Sequence, residues 1–154
     1  MKKSIHILVN NTGGPAPGSI IQADVQDFIS AMNNHLVCNH MLVKLVLKGM
    51  KEANYGRIIN IISTSVKEPL ANLGVSNTTR AAVANWAKTM SNELGEFGIT
   101  VNNVLPGFTE TDRLLQILSI RATKNNISEE EQLARMKSIA VSYTHLTLPT
   151  ICSV

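Results

Sequence analysis

At 154 residues, with 44% hydrophobic and 16% charged side chains, the chain is long enough for one ordinary core and too apolar to be a disordered or fibrous segment. Its 14 basic and 11 acidic residues are scattered rather than clustered, and one Trp, two Tyr and three Phe leave little to stack on bases, which argues against a nucleic-acid partner. Two cysteines without metal-type spacing point to a reduced, cytoplasmic compartment, and the apolar run behind Met1-Lys-Lys-Ser4 is too short for a cleavable signal or a membrane span.

The first element in chain order is a strand over Ile5 to Val9, a nearly continuous apolar run that leads into Asn10-Asn11-Thr12-Gly13. Helical spacing follows from about Asp24 to Lys51, with Leu36, Met41, Leu42, Leu45, Val46 and Met50 on one broad face. Ile58 to Ile62 predicts a second buried strand, and Thr79 to Phe97 a helix that carries Ala82, Val83, Trp86, Met90 and Leu94 inward and stops at Gly98. Ile99 to Leu105 predicts a third strand. Strand, helix, strand, helix, strand is the α/β pattern of a doubly wound parallel sheet.

Beyond Pro106-Gly107 the pattern is looser and more polar. Ser128 with Glu131 three residues later forms a capping box, so a short helix is expected from about Glu129 to Lys137, with Leu133 and Met136 on one side. Residues 141–154 continue neither period. They resemble a translated sequencing-adapter tail and are expected to be non-native, the alternative being a strand from Tyr143 to Leu148; residues 1–140 then form part of a single domain.

Three segments carry a resemblance that covers about Ile5 to Ala140. Gly56-Arg-Ile-Ile-Asn-Ile-Ile-Ser63, Ser76-Asn-Thr-Thr-Arg80 with its amphipathic continuation, and Val101-Asn-Asn-Val-Leu-Pro-Gly107 together resemble the catalytic half of a short-chain dehydrogenase/reductase. The resemblance implies a partial Rossmann-like sheet. It also implies NAD or NADP as cofactor in the complete protein, a small-molecule carbonyl or alcohol substrate, no membrane partner, and a homo-oligomer built through the two long helices.

The same resemblance assigns roles. Asn10, Asn11, Thr12 and Gly13 match the segment beside the adenosine ribose, and Ser63 matches the serine that donates to a substrate carbonyl oxygen. The family's tyrosine, thirteen residues after that serine, is Ser76 here, and its lysine, one helical turn further, is Arg80. A serine hydroxyl is a far weaker acid than a phenol with pKa about 10, and a guanidinium stays charged, so the usual proton transfer is expected to be lost. Arg80 is left to hold ribose hydroxyls or a carboxylate.

His35 falls near the position of the family's catalytic asparagine, between Asn34 and Asn39, and is the first substitute for the missing acid–base group; Lys67 and Glu68 are a second place to look. Pro106, Gly107 and Thr111 match the segment that meets the nicotinamide carboxamide. The strand–helix units with the glycine-rich pyrophosphate turn have no counterpart ahead of Asn10, and Gly13-Gly14-Pro15 and Gly18 do not replace it. A chain so built is expected to leave Ile5 to Val9 as an uncovered sheet edge and to be poorly soluble alone. A catalytically silent, nucleotide-binding or scaffolding protein is the alternative to an oxidoreductase.

Overall fold

The structure is a computed structural model that describes residues 4–107 and 112–141. Three strands, β1 (Ile7–Asn10), β2 (Gly56–Ile61) and β3 (Ile99–Val104), form one parallel sheet in the order β1-β2-β3. The register places Asn10 opposite Asn60 and Asn60 opposite Asn103. Helices α1 (Val25–Met32) and α2 (Cys38–Glu52) join β1 to β2, and α3 (Gly74–Leu94) joins β2 to β3. This is the alternation expected of a partial Rossmann-like α/β sheet. The described residues group into two compact units, one ending at Leu105 and the other starting at Pro106.

The isoleucine runs become strands because side chains that are buried on both faces of a parallel sheet have no reason to alternate with polar ones. Ile58, Ile99 and Val101 meet Val43 and Met50 of α2 and Ala87, Met90 and Leu94 of α3 in the core of the first unit. β1 begins two residues later than the sequence suggested, and its Ile7 and Val9 are more than half exposed. Gly98 ends the α3 segment as expected. After the turn Gly95–Phe97 it takes a left-handed φ of 65°, and a Cβ there would lie 2.5 Å from the Asn54 carbonyl oxygen.

Two expectations are corrected. The helix expected from Asp24 to Lys51 is divided by a π-turn, Asn33–Val37, in which the Cys38 N–H reaches back to the Asn33 carbonyl. The extra residue in that turn rotates everything after it by about 100° relative to an unbroken α-helix. The buried residues of the segment are His35, Asn39, Val43 and Met50, whereas Met41, Leu42 and Leu45, on the other side of α2, face solvent. The second correction is to α3, which starts at Gly74, five residues before the expected Thr79. Ser76 lies in its first turn and Arg80 in its second. Val75, Thr79, Val83 and Ala87 form its buried stripe, with Trp86 half-buried against His40.

In the second unit the Ser128 hydroxyl accepts from the Glu131 N–H at 3.1 Å, one arm of the expected capping box, and the helix it opens, α5 (Glu129–Val141), runs past the expected Lys137. A further helix, α4 (Asp112–Asn125), occupies the stretch read as loose and polar. Leu118, Ala122 and Met136 are buried, and the Asn125 amide donates to Gln132 across the turn at 2.8 Å. The tail from residue 142 on lies outside the described residues. No helix among the described residues is long and apolar enough to cross a membrane.

Candidate functional site

The site is built at the C-terminal end of β2, where open parallel sheets bind their ligands. Ser63 follows the strand and begins a short turn, Thr64–Val66; its Oγ accepts from the Ser65 N–H at 3.1 Å. One lone pair is thereby engaged, and the hydroxyl proton is left for a second partner. That is the polarity a group needs if it is to donate to a carbonyl oxygen as negative charge develops there.

Arg80 reaches the same strand end. Its Nη1 donates to the carbonyls of Ile61 at 2.8 Å and Ile62 at 3.2 Å, the two residues just ahead of Ser63. The guanidinium is half-buried and braces the chain that carries Ser63. Ser76, one turn earlier on α3, is half-buried.

His35 is 4% exposed and projects from the π-turn. Burial and the neighbouring Arg80 charge hold its pKa below the ordinary histidine value of 6.5, against a smaller upward pull from a hydrogen bond to the Gly13 backbone. The neutral ring has a single N–H, and donating it to the Gly13 carbonyl leaves the other nitrogen as an acceptor. Gly13, His35 and Arg80 are therefore brought together as the sequence suggested, with His35 better matched to receiving a proton than to giving one at neutral pH. Asn34, Ser30 and Asp27 join His35 and Gly13 around a cleft of about 370 Å³.

A histidine whose folded pKa lies below its unfolded value binds fewer protons when folded. Stability is then fully present above about pH 6.5 and falls as the pH drops toward the lowered value. The urea midpoint is expected to fall between pH 7.5 and pH 5, and to fall less in His35→Asn. Equal slopes in the two proteins would show that His35 is not the titrating group.

Asn10 is the last residue of β1. It is buried, and its Nδ2 donates to Asn60 Oδ1 at 2.8 Å, while Asn60 Nδ2 donates to Asn103 Oδ1 at 3.1 Å. This ladder of amides crosses all three strands. Asn60 and Asn103 were missed in the sequence, although a lone amide inside a continuous isoleucine run must find a partner when buried, and that signal was available. Asn77 was also passed over: its amide bonds the Leu70 backbone in both directions, 2.8 Å to the carbonyl and 3.4 Å from the N–H, and ties the Lys67–Leu73 loop to α3.

Asn11 and Gly13 are exposed, Thr12 is half-buried, and a Cβ at Gly13 would meet nothing within 4 Å, so there is room for a ligand against this turn. A pyrophosphate does not fit it. The glycines of 13–18 lead into a short 3-10 turn, and the next helix opens on Asp24 and Asp27, with the Asp27 carboxylate accepting from the Asp24 N–H at 3.1 Å. Two carboxylates occupy the place where a diphosphate needs free amides and positive potential. Pro106 and Gly107 belong to the second unit, Thr111 lies outside the described residues, and Lys67 and Glu68 are exposed. Among the described residues no three His, Cys, Asp or Glu side chains group as a metal site.

Comparison with known proteins agrees with this geometry. Residues 1–119 match the family described as short chain dehydrogenase. The NADPH-dependent reductase BacG of Bacillus subtilis is 35% identical over 133 residues, 84% of this chain and 51% of BacG. The 3-oxoacyl-[acyl-carrier-protein] reductase FabG of Vibrio cholerae is 36% identical over 110 residues, 70% of this chain and 44% of that protein. An actinorhodin polyketide ketoreductase solved with NADPH superposes with a TM-score of 0.79 at 29% identity, over 88% of this chain and 52% of its own. The chain spans about half the length of the curated relatives it matches.

Proposed function

Because this chain belongs to the short-chain dehydrogenase/reductase family, we propose that the protein of which it forms part is a nicotinamide-dependent oxidoreductase that interconverts a small carbonyl compound and its alcohol. The observation that carries this reading is Ser63, placed at the end of β2 with its oxygen engaged by the Ser65 N–H and its proton free to point at a carbonyl oxygen. The cofactor, when bound, supplies or accepts the hydride. Arg80 holds the strand end and lends positive charge; Ser63 stabilises the oxygen; His35 exchanges the proton in place of the tyrosine absent at Ser76. As the resemblance implies, Asn11, Thr12 and Gly13 are assigned to the cofactor's adenosine ribose, and Pro106, Gly107 and Thr111 to its nicotinamide. The relatives named for NADPH favour NADP over NAD.

Residues 1–140 are taken as the C-terminal part of one domain, in a cytoplasmic homo-oligomer. The exposed apolar residues Met41 and Leu45 on α2, with Val37 just ahead of it, support the view that the long helices form its interface.

One observation favours a second reading, a silent family member that binds nucleotide or a partner. Arg80 spends Nη1 on two main-chain carbonyls, a structural use of the residue that replaces the lysine. The complete protein and its Ser76→Tyr, Arg80→Lys double variant separate the two readings on a panel of ketones with NADPH. Turnover by the unmodified protein is the expected result; turnover only after the double change, by about a hundredfold or more, would establish the silent reading.

A further inference from the structure

The helical segment behind β1 turns one face toward the loop that follows that strand. Asp27, Ser30 and Asn34 come at spacings of three and four, with His35 just beyond, so they share that face and line the cleft of about 370 Å³. No lysine or arginine lines it. The Arg80 charge is felt at His35, but Arg80 stands outside the cleft with its Nη1 on the Ile61 and Ile62 carbonyls.

Both ends of this face are acceptors, and they differ in charge. At one end the Asp27 carboxylate takes the Asp24 N–H on Oδ2 at 3.1 Å, one contact out of the several a carboxylate can accept, and keeps its negative charge. At the other end His35 is 4% exposed and gives its one N–H to the Gly13 carbonyl. Its second ring nitrogen is then an acceptor with no partner among the described residues, and a buried polar atom in that state is uncommon in a folded protein. Between the two, Ser30 Oγ already accepts from the Gln26 amide at 3.2 Å. A cation therefore belongs at the Asp27 end, and an uncharged donor at the His35 end, where the Arg80 charge opposes a second cation.

We propose that this cleft binds an amino alcohol, its ammonium against Asp27 and its hydroxyl donating to the unpartnered nitrogen of His35. Binding does not depend on the oxidoreductase reading; that the bound amino alcohol is also the molecule acted on rests on it. His35 follows Asp27 by eight residues, or about 12 Å of helix. A hydrogen bond of about 2.9 Å at each end leaves about 6 Å between the two donor atoms of the ligand. A chain of about four carbons spans that gap, so the cleft selects by charge and by length. A carboxylate is disfavoured because no lysine or arginine in the wall replaces the water it would lose.

Binding is measured on the 154-residue chain by ligand-observed NMR with 5-amino-2-pentanol. Four controls each lack one feature: 2-pentanol the ammonium, pentylamine the hydroxyl, 1-amino-2-propanol the length, and 4-hydroxypentanoate the sign of the charge. The amino alcohol is expected to bind about fivefold more tightly than 2-pentanol, as an exposed ion pair predicts, and about fivefold more tightly than pentylamine or 1-amino-2-propanol, as one hydrogen bond predicts. The hydroxy acid is expected to be weaker by about tenfold or more. Asp27→Asn keeps an acceptor for the Asp24 N–H and removes only the charge; it brings the amino alcohol down to 2-pentanol and leaves 2-pentanol unchanged. His35→Phe removes the acceptor and erases the advantage over pentylamine alone.

Equal binding of 5-amino-2-pentanol and 4-hydroxypentanoate overturns the proposal, as does an unchanged Kd in Asp27→Asn. An amino alcohol no tighter than pentylamine on the unmodified chain overturns the His35 contact, whether or not His35→Phe folds. Turnover by the complete protein with NADP is a separate readout. If the amino alcohol binds with this pattern and neither it nor any other alcohol is oxidised, the oxidoreductase reading fails and the binding site stands. Oxidation of 2-pentanol with the same kcat/KM as 5-amino-2-pentanol does the reverse: the reading stands and the cleft has no part in choosing the substrate.

Discussion

Replacing Asn60 with leucine is expected to lower the free energy of unfolding by about 3 kcal/mol, among the larger effects of any single change in this chain. Asn60 is 0% exposed and sits between two amides, accepting from Asn10 and donating to Asn103. Leucine has nearly the same length but can do neither. The Asn10 N–H would be left buried without an acceptor, in a residue whose Oδ1 already has no partner among the described residues. Asn103 is half-buried and on the last strand, so its Oδ1 recovers some hydration, and Asn103→Ala is expected to cost only about 1 kcal/mol. Urea denaturation at equal m-value checks both. A leucine variant as stable as the parent would mean that the ladder contributes no net stability and that the sheet is held by its isoleucines alone.

The second large effect is catalytic. In the complete protein, Ser63→Ala is expected to reduce kcat by about a hundred- to a thousandfold, the usual consequence of deleting a donor aimed at developing oxygen charge, with little change in KM. The substitution removes one hydroxyl and leaves the Ser65 N–H to solvent or to the backbone, so the fold is expected to tolerate it. Steady-state kinetics on any ketone that the unmodified protein reduces decides the matter. A loss confined to KM would place Ser63 in substrate binding alone, and no loss would move the oxygen-stabilising role elsewhere along β2.

The alternation of strands and helices was legible because isoleucine runs such as Ile58–Ile62 and the spacing of Val83, Met90 and Leu94 are the direct imprint of burial on sequence. What lay hidden has physical reasons. The apolar pattern begins only at Val83, whereas the first turn of a helix has spare N–H groups and tolerates Gly74, Ser76 and Asn77, so α3 starts earlier than that pattern. The π-turn leaves no compositional mark, and Met41, Leu42 and Leu45 were placed inward because α2 carries apolar residues on its exposed side as well as on the side of Val43 and Met50. α4 was missed because its polar residues obscured the period that Leu118 and Ala122 belong to.

The candidate site divides in the same way. The positions of Ser63, Arg80 and His35 were legible only through the resemblance to the family's motif, onto which these residues fall. Their partners did not follow. That Arg80 turns toward the carbonyls of Ile61 and Ile62, and that Ser65 hides a hydroxyl beside Ser63, depends on side-chain packing that no periodicity encodes.

The π-turn at Asn33–Val37 makes the helical segment a device with two independent phases. Ahead of it, α1 is set by the loop that follows β1; behind it, α2 is set by the sheet through Val43 and Met50. Removing a single residue from the turn would restore an ordinary α-helix and keep both halves intact, but would swing one by about 100° against the other. His35 lies in the turn itself, so its direction is fixed by chain length as much as by residue type. Deletions and insertions in this short segment therefore offer a route to changing which side chain enters the cleft while every core contact of α2 stays as it is.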